Sequence, residues 1–336
     1  METKTFRIGG AEVACHFDGS FAELRDLTDR KTTVLLTDEH VFEAHPAKFK
    51  GWNTIVLKPG EAYKVQATVD AAIGQLLDMG ADRGWTLVGV GGGVVTDLAG
   101  YIAAIFLRGI RCGFVPTTLL GLVDASIGGK NGIDVGVYKN LVGTIRQPAF
   151  ILHDPSLLKT LPDSEWRSGF AEVIKHAAIR DAQLFRELEA ADIGFYKKNK
   201  TALAELVERN ALLKTRVVMS DERESGERRL LNFGHTLGHA LENQYELTHG
   251  EAISIGMAFA ARLSVERLGY KEADRLKALL QQYGLPTEAV YKKEKVLPVL
   301  VKDKKKQGDH IHFVLLEKTG KAVVTPITIK ELDKML

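Results

Sequence analysis

The stretch TLVGVGGGVVTDLAGYIAAIFLRG, residues 86–109, constrains what this chain can fold into more than any other. It opens on a short apolar run ending in glycines, the pattern of a strand buried on both faces. Apolar residues then continue around every side of a helical turn, as in a buried helix. A strand covered on both faces needs helices on both sides of its sheet, so the segment predicts a parallel sheet in an α/β domain. Neighbouring segments agree. TTVLLTD (32–38), WNTIVLKPG (52–60) and RCGFVPTT (111–118) read as further buried strands. VQATVDAAIGQLLDMGA (65–81) carries Val65, Val69, Ile73, Leu76 and Leu77 at helical spacing and stops at Gly80.

Past residue 154 the pattern changes. From Pro162 to about Tyr291 nearly every segment has helical periodicity. Near the end, HIHFVLLEKTGKAVVTPI (310–327) reads as a β-hairpin turning at Thr319 and Gly320. We therefore expect two domains in the 336 residues, an α/β fold over 1–154 and a mostly α-helical fold over 155–336.

Charge and composition exclude several classes. Lys and Arg number 45 against 43 Asp and Glu, a net charge of +2, which argues against a general nucleic-acid surface. The Lys-rich YKKNK and KDKKKQGDH are short and read as solvated surface. No uncharged apolar run reaches the roughly 18 residues a membrane helix needs. The opening METKTFRIGGAEVACHF lacks the basic start and apolar core of a secretory signal. Cys15 and Cys112 are too far apart for a zinc knuckle and too few for a disulfide framework, so a reducing compartment is expected. A cytoplasmic enzyme with neither a nucleic-acid nor a membrane partner is the expectation.

Three motifs carry chemistry. The glycines at 89–93 let backbone N–H groups approach a phosphate at a helix N-terminus. The dinucleotide pattern G-x-G-x-x-G is broken at its sixth position by Val94, and the same glycines also suit a tight turn with close packing. GGKN (128–131) is no P-loop, because Asp124 stands where the first glycine is required and Asn follows Lys130. Lys130 reads instead as a single cation awaiting an anion. Within VDASIGGKNGIDVGVYKN (123–140), Asp124, Lys130, Lys139 and Asn140 either converge on a ligand or decorate a long loop. Last, LLNFGHTLGHALENQYELTHGEAISIG (230–256) holds three of the ten histidines. His235 and His239 share one helix face, a metal-ligand spacing, and His249 heads the next helix. Spacing alone selects His235 and His239 as a ligand pair, with a third ligand from elsewhere.

PGEAYK, GGGVVTDLAGYIAAIFLRG, VPTTLLGLVDASIGGKNGID, KNLVGTIRQP, TLPDSEWRSGFAEVIKHAAI, DERESGERRLLNFGHTLGHALE and HGEAISIGM together closely resemble, in order, the motifs of the 3-dehydroquinate synthase family. The resemblance runs from about Gly60 to Gly320. It implies an N-terminal NAD-binding α/β domain, a C-terminal α-helical metal- and substrate-binding domain, and an active site in the cleft between them. It also revises the ligand set. The family's catalytic zinc is held by a Glu and two His, matching Glu172, His235 and His249, while His239 matches a residue on the substrate phosphate. Three protein ligands leave Zn2+, or Co2+ on the same ligands, open to substrate hydroxyls.

By the same resemblance, Asp38, Glu61, Lys64, the turn of Gly91, Gly92 and Gly93, Asp97, Thr117, Thr118, Lys139, Thr160 and Leu161 correspond to NAD-binding positions. Asp124, Lys130, Asn140, Lys175, Lys214, Arg228 and Asn232 correspond to the substrate pocket, with Lys214 and Arg228 on the substrate carboxylate. Arg108 matches an arginine that reaches the phosphate of the partner subunit, which implies a homodimer. One position departs from the family. His312 stands before FVLL where Lys or Arg is usual, so phosphate binding is weaker, more pH-dependent, or shared with Lys304, Lys305 and Lys306.

The implied reaction turns 3-deoxy-D-arabino-heptulosonate 7-phosphate into 3-dehydroquinate and phosphate. It proceeds by transient NAD-mediated oxidation, phosphate elimination, reduction and intramolecular aldol closure. Two alternatives draw on the same parts. Another sugar-phosphate cyclase, of the 2-epi-5-epi-valiolone or 2-deoxy-scyllo-inosose synthase type, has no carboxylate for Lys214 and Arg228 to meet. A metal- and NAD-dependent polyol dehydrogenase would accumulate NADH and has little use for Lys130, Lys214 and Arg228.

Overall fold

The described residues of the computed structural model are 1–136, 138–302 and 306–336, without the side chains of residues 302, 306 and 307. The chain opens with a hairpin of β1 (Glu2–Ile8) and β2 (Ala11–Phe17). Then come α1 (Leu24–Leu27), β3 (Thr33–Asp38), α2 (Glu39–Ala44), α3 (Pro46–Phe49), β4 (Asn53–Leu57) and α4 (Gln66–Asp78). They are followed by β5 (Thr86–Gly91), α5 (Gly93–Ile105), β6 (Arg111–Pro116), a second hairpin of β7 (Lys130–Val135) and β8 (Tyr138–Ile145), and β9 (Phe150–Leu152).

Seven strands form one sheet in the order β1-β2-β9-β6-β5-β3-β4, parallel except where β1 meets β2. Alternate residues of the central strands enter opposite cores. Val34, Leu36 and Leu87 face one apolar cluster, Leu35, Val88 and Val90 the other. That two-sided burial is why the apolar runs were legible as parallel strands. From β3 the chain passes outward to β4, then returns to β5 on the opposite side of β3. Such a reversal leaves a crevice at the carboxyl ends of the strands, where open α/β sheets bind ligands.

The rest of the chain is mostly helical: α6 (Asp163–Arg180), α7 (Ala182–Glu189), α8 (Ile193–Lys198), α9 (Lys200–Ser220), α10 (His235–Glu242), α11 (His249–Leu268), α12 (Ala273–Gln282) and α13 (Lys293–Lys302). The short β10 (Lys306–Gln307) precedes the hairpin of β11 (His310–Lys318) and β12 (Lys321–Thr328), and α14 (Ile329–Met335) closes the chain. Two compact units result, Met1–Pro162 with Lys200–Glu222, and Asp163–Asn199 with Arg223–Leu336. Helix α9 groups with the first because Ala211 and Val218 join the apolar cluster that contains Ile8, Val13 and Phe17. In the second unit α11 packs against α6, α10 and β11.

Two local expectations change. The stretch 123–140 is not one long loop, since Gly121–Ala125 forms a π-helical turn and Lys130 opens β7. Buried Asn131 secures that strand by donating to the carbonyls of Gly129 and Arg146. The buried helix expected to run to about Gly109 stops at Ile105, after which Leu107 and Arg108 adopt left-handed φ angles of 50° and 65°. Among the described residues no helix is long and apolar enough to cross a membrane.

Candidate active site

In the first unit the residues expected to hold NAD follow the carboxyl ends of adjacent parallel strands. Asp38 ends β3, Glu61 and Lys64 follow β4, Gly91 ends β5, Thr117 and Thr118 follow β6, and Thr160 and Leu161 come after β9. Gly92 caps α5 without a side chain to occupy the free N–H groups of its first turn, where Gly93 stands. Thr117 Oγ1 beside this turn is buried with no hydrogen-bond partner among the described residues. Backbone donors at a helix N-terminus and a waiting hydroxyl suit a pyrophosphate.

Buried Lys64 ties this group together. Its Nζ lies 2.5 Å from Asp97 Oδ2 and donates to Asn140 Oδ1 at 2.6 Å. Burial acts to lower the Lys64 pKa, but the Asp97 and Glu61 carboxylates outweigh it and raise the value. Asn140 takes a left-handed φ of 51°, uncommon without glycine, and its N–H donates to Asp134 Oδ1 at 2.7 Å. The Asp134 N–H in turn donates to the Lys64 carbonyl at 2.7 Å. Asn140, expected on the substrate, therefore shares one network with Lys64 and Asp97, expected on NAD.

Lys214 on α9 lies 2.9 Å from the Asp124 carboxylate and donates to the Asp124 carbonyl at 2.7 Å. Lys139 sits on β8 beside Asn140, while Lys130 opens β7 opposite Ile145, at the other end of the hairpin. Arg108 stands apart from the residues at the carboxyl ends of the strands. It precedes the amino end of β6, whereas Thr117 and Thr118 follow its carboxyl end, about 20 Å away along a strand of six residues.

In the second unit Glu172 is wholly buried in the middle of α6, and His235 and His249 are the first residues of α10 and α11. Two glycines make this approach possible. Gly234 has φ 80°, and a Cβ there would stand 2.7 Å from the Ile253 carbonyl of α11. A Cβ on Gly250 would stand 2.4 Å from Ser168 Cα, so α11 starts against the backbone of α6 one turn before Glu172. Thr248 and Glu251 fix that start with a capping box.

One ligand atom each from Glu172, His235 and His249 lies within 4.8 Å of the others. Glu172 Oε1 is 3.6 Å from His235 Nε2 and 3.5 Å from His249 Nε2, and Oε2 meets the Nζ of buried Lys175. The remaining ring nitrogens have their own acceptors. His235 Nδ1 lies 3.1 Å from the Phe233 carbonyl, and His249 Nδ1 lies 3.5 Å from Glu242 Oε2. A ring protonated at Nδ1 presents the Nε2 lone pair, so both histidines can aim a lone pair at the Glu172 oxygen. This donor set fits a divalent cation that keeps coordination positions open. Burial disfavours a charged His249, but Glu172 and Glu242 outweigh it and raise its pKa to about 10, so an incoming cation takes the place of a proton.

The geometry groups His235 with Glu172 and His249, not with His239. His239 adds no ligand atom to the cluster, and its ring centroid lies 5.1 Å from that of His235 and 6.4 Å from that of His249. Buried Arg228 and half-buried Asn232 occupy the 3-10 turn Glu227–Asn232, which packs on α6, and Asn232 donates to Glu224. His312 lies on β11, its carbonyl accepting from Thr236 Oγ1 at 3.4 Å. Lys304, Lys305 and the Lys306 side chain lie outside the described residues. Two residues at these sites escaped the sequence reading, Asp134 and Glu242. For Glu242 a signal existed, because it follows His235 by seven positions and so shares the helix face of His235 and His239.

Residues 54–168 match the family model described as 3-dehydroquinate synthase N-terminal, and residues 169–306 the one described as 3-dehydroquinate synthase C-terminal. The 3-dehydroquinate synthase of Picosynechococcus sp. is 44% identical over 282 residues, 81% of this chain and 77% of that one. Among solved structures, a 2-epi-5-epi-valiolone synthase from Streptomyces hygroscopicus subsp. jinggangensis with NAD+ and Zn2+ bound matches with a TM-score of 0.87 at 25% identity, over 100% of this chain and 98% of the other. A 2-deoxy-scyllo-inosose synthase complexed with carbaglucose-6-phosphate, NAD+ and Co2+ also gives 0.87, at 24% identity over 99% of each chain, a likeness of fold alone.

Proposed function

The chain belongs to the 3-dehydroquinate synthase family, and from that membership we infer that it converts 3-deoxy-D-arabino-heptulosonate 7-phosphate to 3-dehydroquinate and phosphate. This is a carbon–oxygen lyase reaction of the shikimate pathway, on the route to aromatic amino acids. The observation that carries the reading is the convergence of Glu172, His235 and His249 within a chain of this family. When bound, NAD+ supplies a temporary hydride acceptor, and Zn2+ or Co2+ a Lewis acid for the substrate hydroxyls.

The chain's own residues divide the remaining work. Glu172, His235 and His249 hold the cation. Asp38, Glu61, Lys64, Gly91, Gly92, Gly93, Asp97, Thr117, Thr118, Lys139, Thr160 and Leu161 hold and orient NAD. Lys175, buried against Glu172, places its Nζ beside the cation site. Lys130, Asn232 and His239 meet the phosphate and stabilise the charge of the leaving group. Asp124 and Asn140 orient the substrate, and Lys214 and Arg228 meet its carboxylate. The carboxylate pair separates this reading from cyclases whose sugar phosphates carry no carboxylate.

Arg108 acts on the phosphate in the partner of a homodimer. Its place at the opposite strand end from Thr117 supports service to another chain. Exposed Ile145 at the end of β8 adjoins Arg146, which is tied to that turn by donating to the carbonyls of Ala103 and Ile110. The cytoplasm is the compartment that suits Cys15 and Cys112, both free and buried, with burial pushing each thiol up to about 12.

The test is to incubate the purified protein with the heptulosonate 7-phosphate, catalytic NAD+ and Zn2+. Equal amounts of phosphate and dehydroquinate, over many turnovers per NAD+, are expected. Accumulating NADH, or phosphate limited by the NAD+ supplied, would point to the dehydrogenase instead. Glu172→Gln should lose both metal and turnover, whereas His239→Ala should keep its metal. Equal zinc content in wild type and Glu172→Gln would sink the ligand assignment.

A further inference from the structure

We propose that Glu242 is a positioning residue that fixes the ring of His249 for cation binding. The inference rests on the metal reading above and adds to it a residue that is not itself a ligand. Glu242 ends α10 on the face that carries His235, and its Oε2 lies 3.5 Å from His249 Nδ1. The opposite nitrogen of the same ring lies 3.5 Å from Glu172 Oε1. His249 is thus gripped at both nitrogens, by one carboxylate on the cation side and another behind.

The arrangement answers two difficulties peculiar to His249. The first is orientation. The ring is partly exposed at the start of a helix, and an imidazole there can flip or change tautomer. A carboxylate behind Nδ1 requires the N–H at that nitrogen, which leaves the lone pair on Nε2 facing Glu172. The second is charge. As the first residue of α11, a helix of 20 residues, His249 sits at the positive end of a helix dipole, which disfavours a cation beside it. Glu242 sets a negative charge against that field. His235 needs less, because the Phe233 carbonyl 3.1 Å from its Nδ1 already sets its tautomer.

The experiment is a zinc titration of the metal-free full-length protein against a chromophoric chelator, comparing wild type, Glu242→Gln, Glu242→Ala and the exposed control Glu246→Gln. Zinc dissociation constants should rise about 10- to 100-fold in Glu242→Ala. Glu242→Gln, which keeps an acceptor but loses the charge, should fall between, and Glu246→Gln should match wild type. Co2+ added to the same proteins should show visible absorption bands that shift in Glu242→Ala and not in the control. Zinc affinity and cobalt bands unchanged in both folded Glu242 variants would overturn the proposal. Should Glu242→Ala fail to fold, Glu242→Gln alone decides. A wild-type chain that takes up no zinc would remove the metal assignment and this proposal with it, an outcome distinct from equal binding by every variant.

Discussion

His153 is wholly buried, its ring stacked on Phe17 at a centroid distance of 4.6 Å, and among the described residues neither ring nitrogen makes a well-formed hydrogen bond. Burial is the main cause pushing its pKa from 6.5 down to about 4. Between those values the unfolded chain holds a proton that the folded chain refuses. The stability contribution is therefore complete above pH 6.5, declines as pH falls, and is gone below about pH 4. Its size is on the order of 3 kcal/mol. In urea unfolding at pH 7 and pH 4.5, wild type should lose more stability on acidification than His153→Phe; equal losses would show that His153 is not responsible. At the proposed metal site, what could be read from the chain differed from what could not. The i, i+4 spacing placed His235 and His239 on one face. It could not say which ring would meet Glu172, because Glu172 and His249 reach the cluster from other helices.

Among the elements, the contact of α11 with α6 bears most directly on the cluster of Glu172, His235 and His249. The atom that a Gly250 Cβ would strike is backbone, Ser168 Cα, and cannot rotate away. Gly250→Ala should push α11 off α6, costing about 1–3 kcal/mol of stability, and should weaken zinc uptake by separating His249 from Glu172. A variant with wild-type melting temperature and zinc affinity would show that the two helices have slack. The long helices and the β11–β12 hairpin were legible because their periodicity and turn are local. The β7–β8 hairpin was not. Its β8 strand is largely exposed, and β7 carries Asn131, Gly132 and Asp134, so no alternation of apolar and polar residues marks it. It holds through Asn131 and through packing on α5, neither of which is a local property.

For the whole molecule, the assignment of Arg108 to a partner's site predicts complementation. Arg108→Ala and Glu172→Gln should each be inactive alone. Produced together, they should form mixed dimers that pair an intact Glu172 in one chain with an intact Arg108 in its partner. Random pairing would restore about a quarter of wild-type activity. Mixed dimers without activity would refute service in trans, and a monomer in sedimentation would refute the dimer. The sequence by itself determined the α/β class of the first part, the helical character of most of the rest, the strand ends where Asp38, Gly91 and Thr117 lie, and the family motifs. Each of these is written in neighbouring residues, as a period, a turn or a run of types. Only the tertiary structure decided that α9 joins the first unit, that Lys64 links Asp97 to Asn140, and that His249 stands between two carboxylates. Those outcomes depend on how closely distant backbones approach, which packing sets and local pattern does not encode.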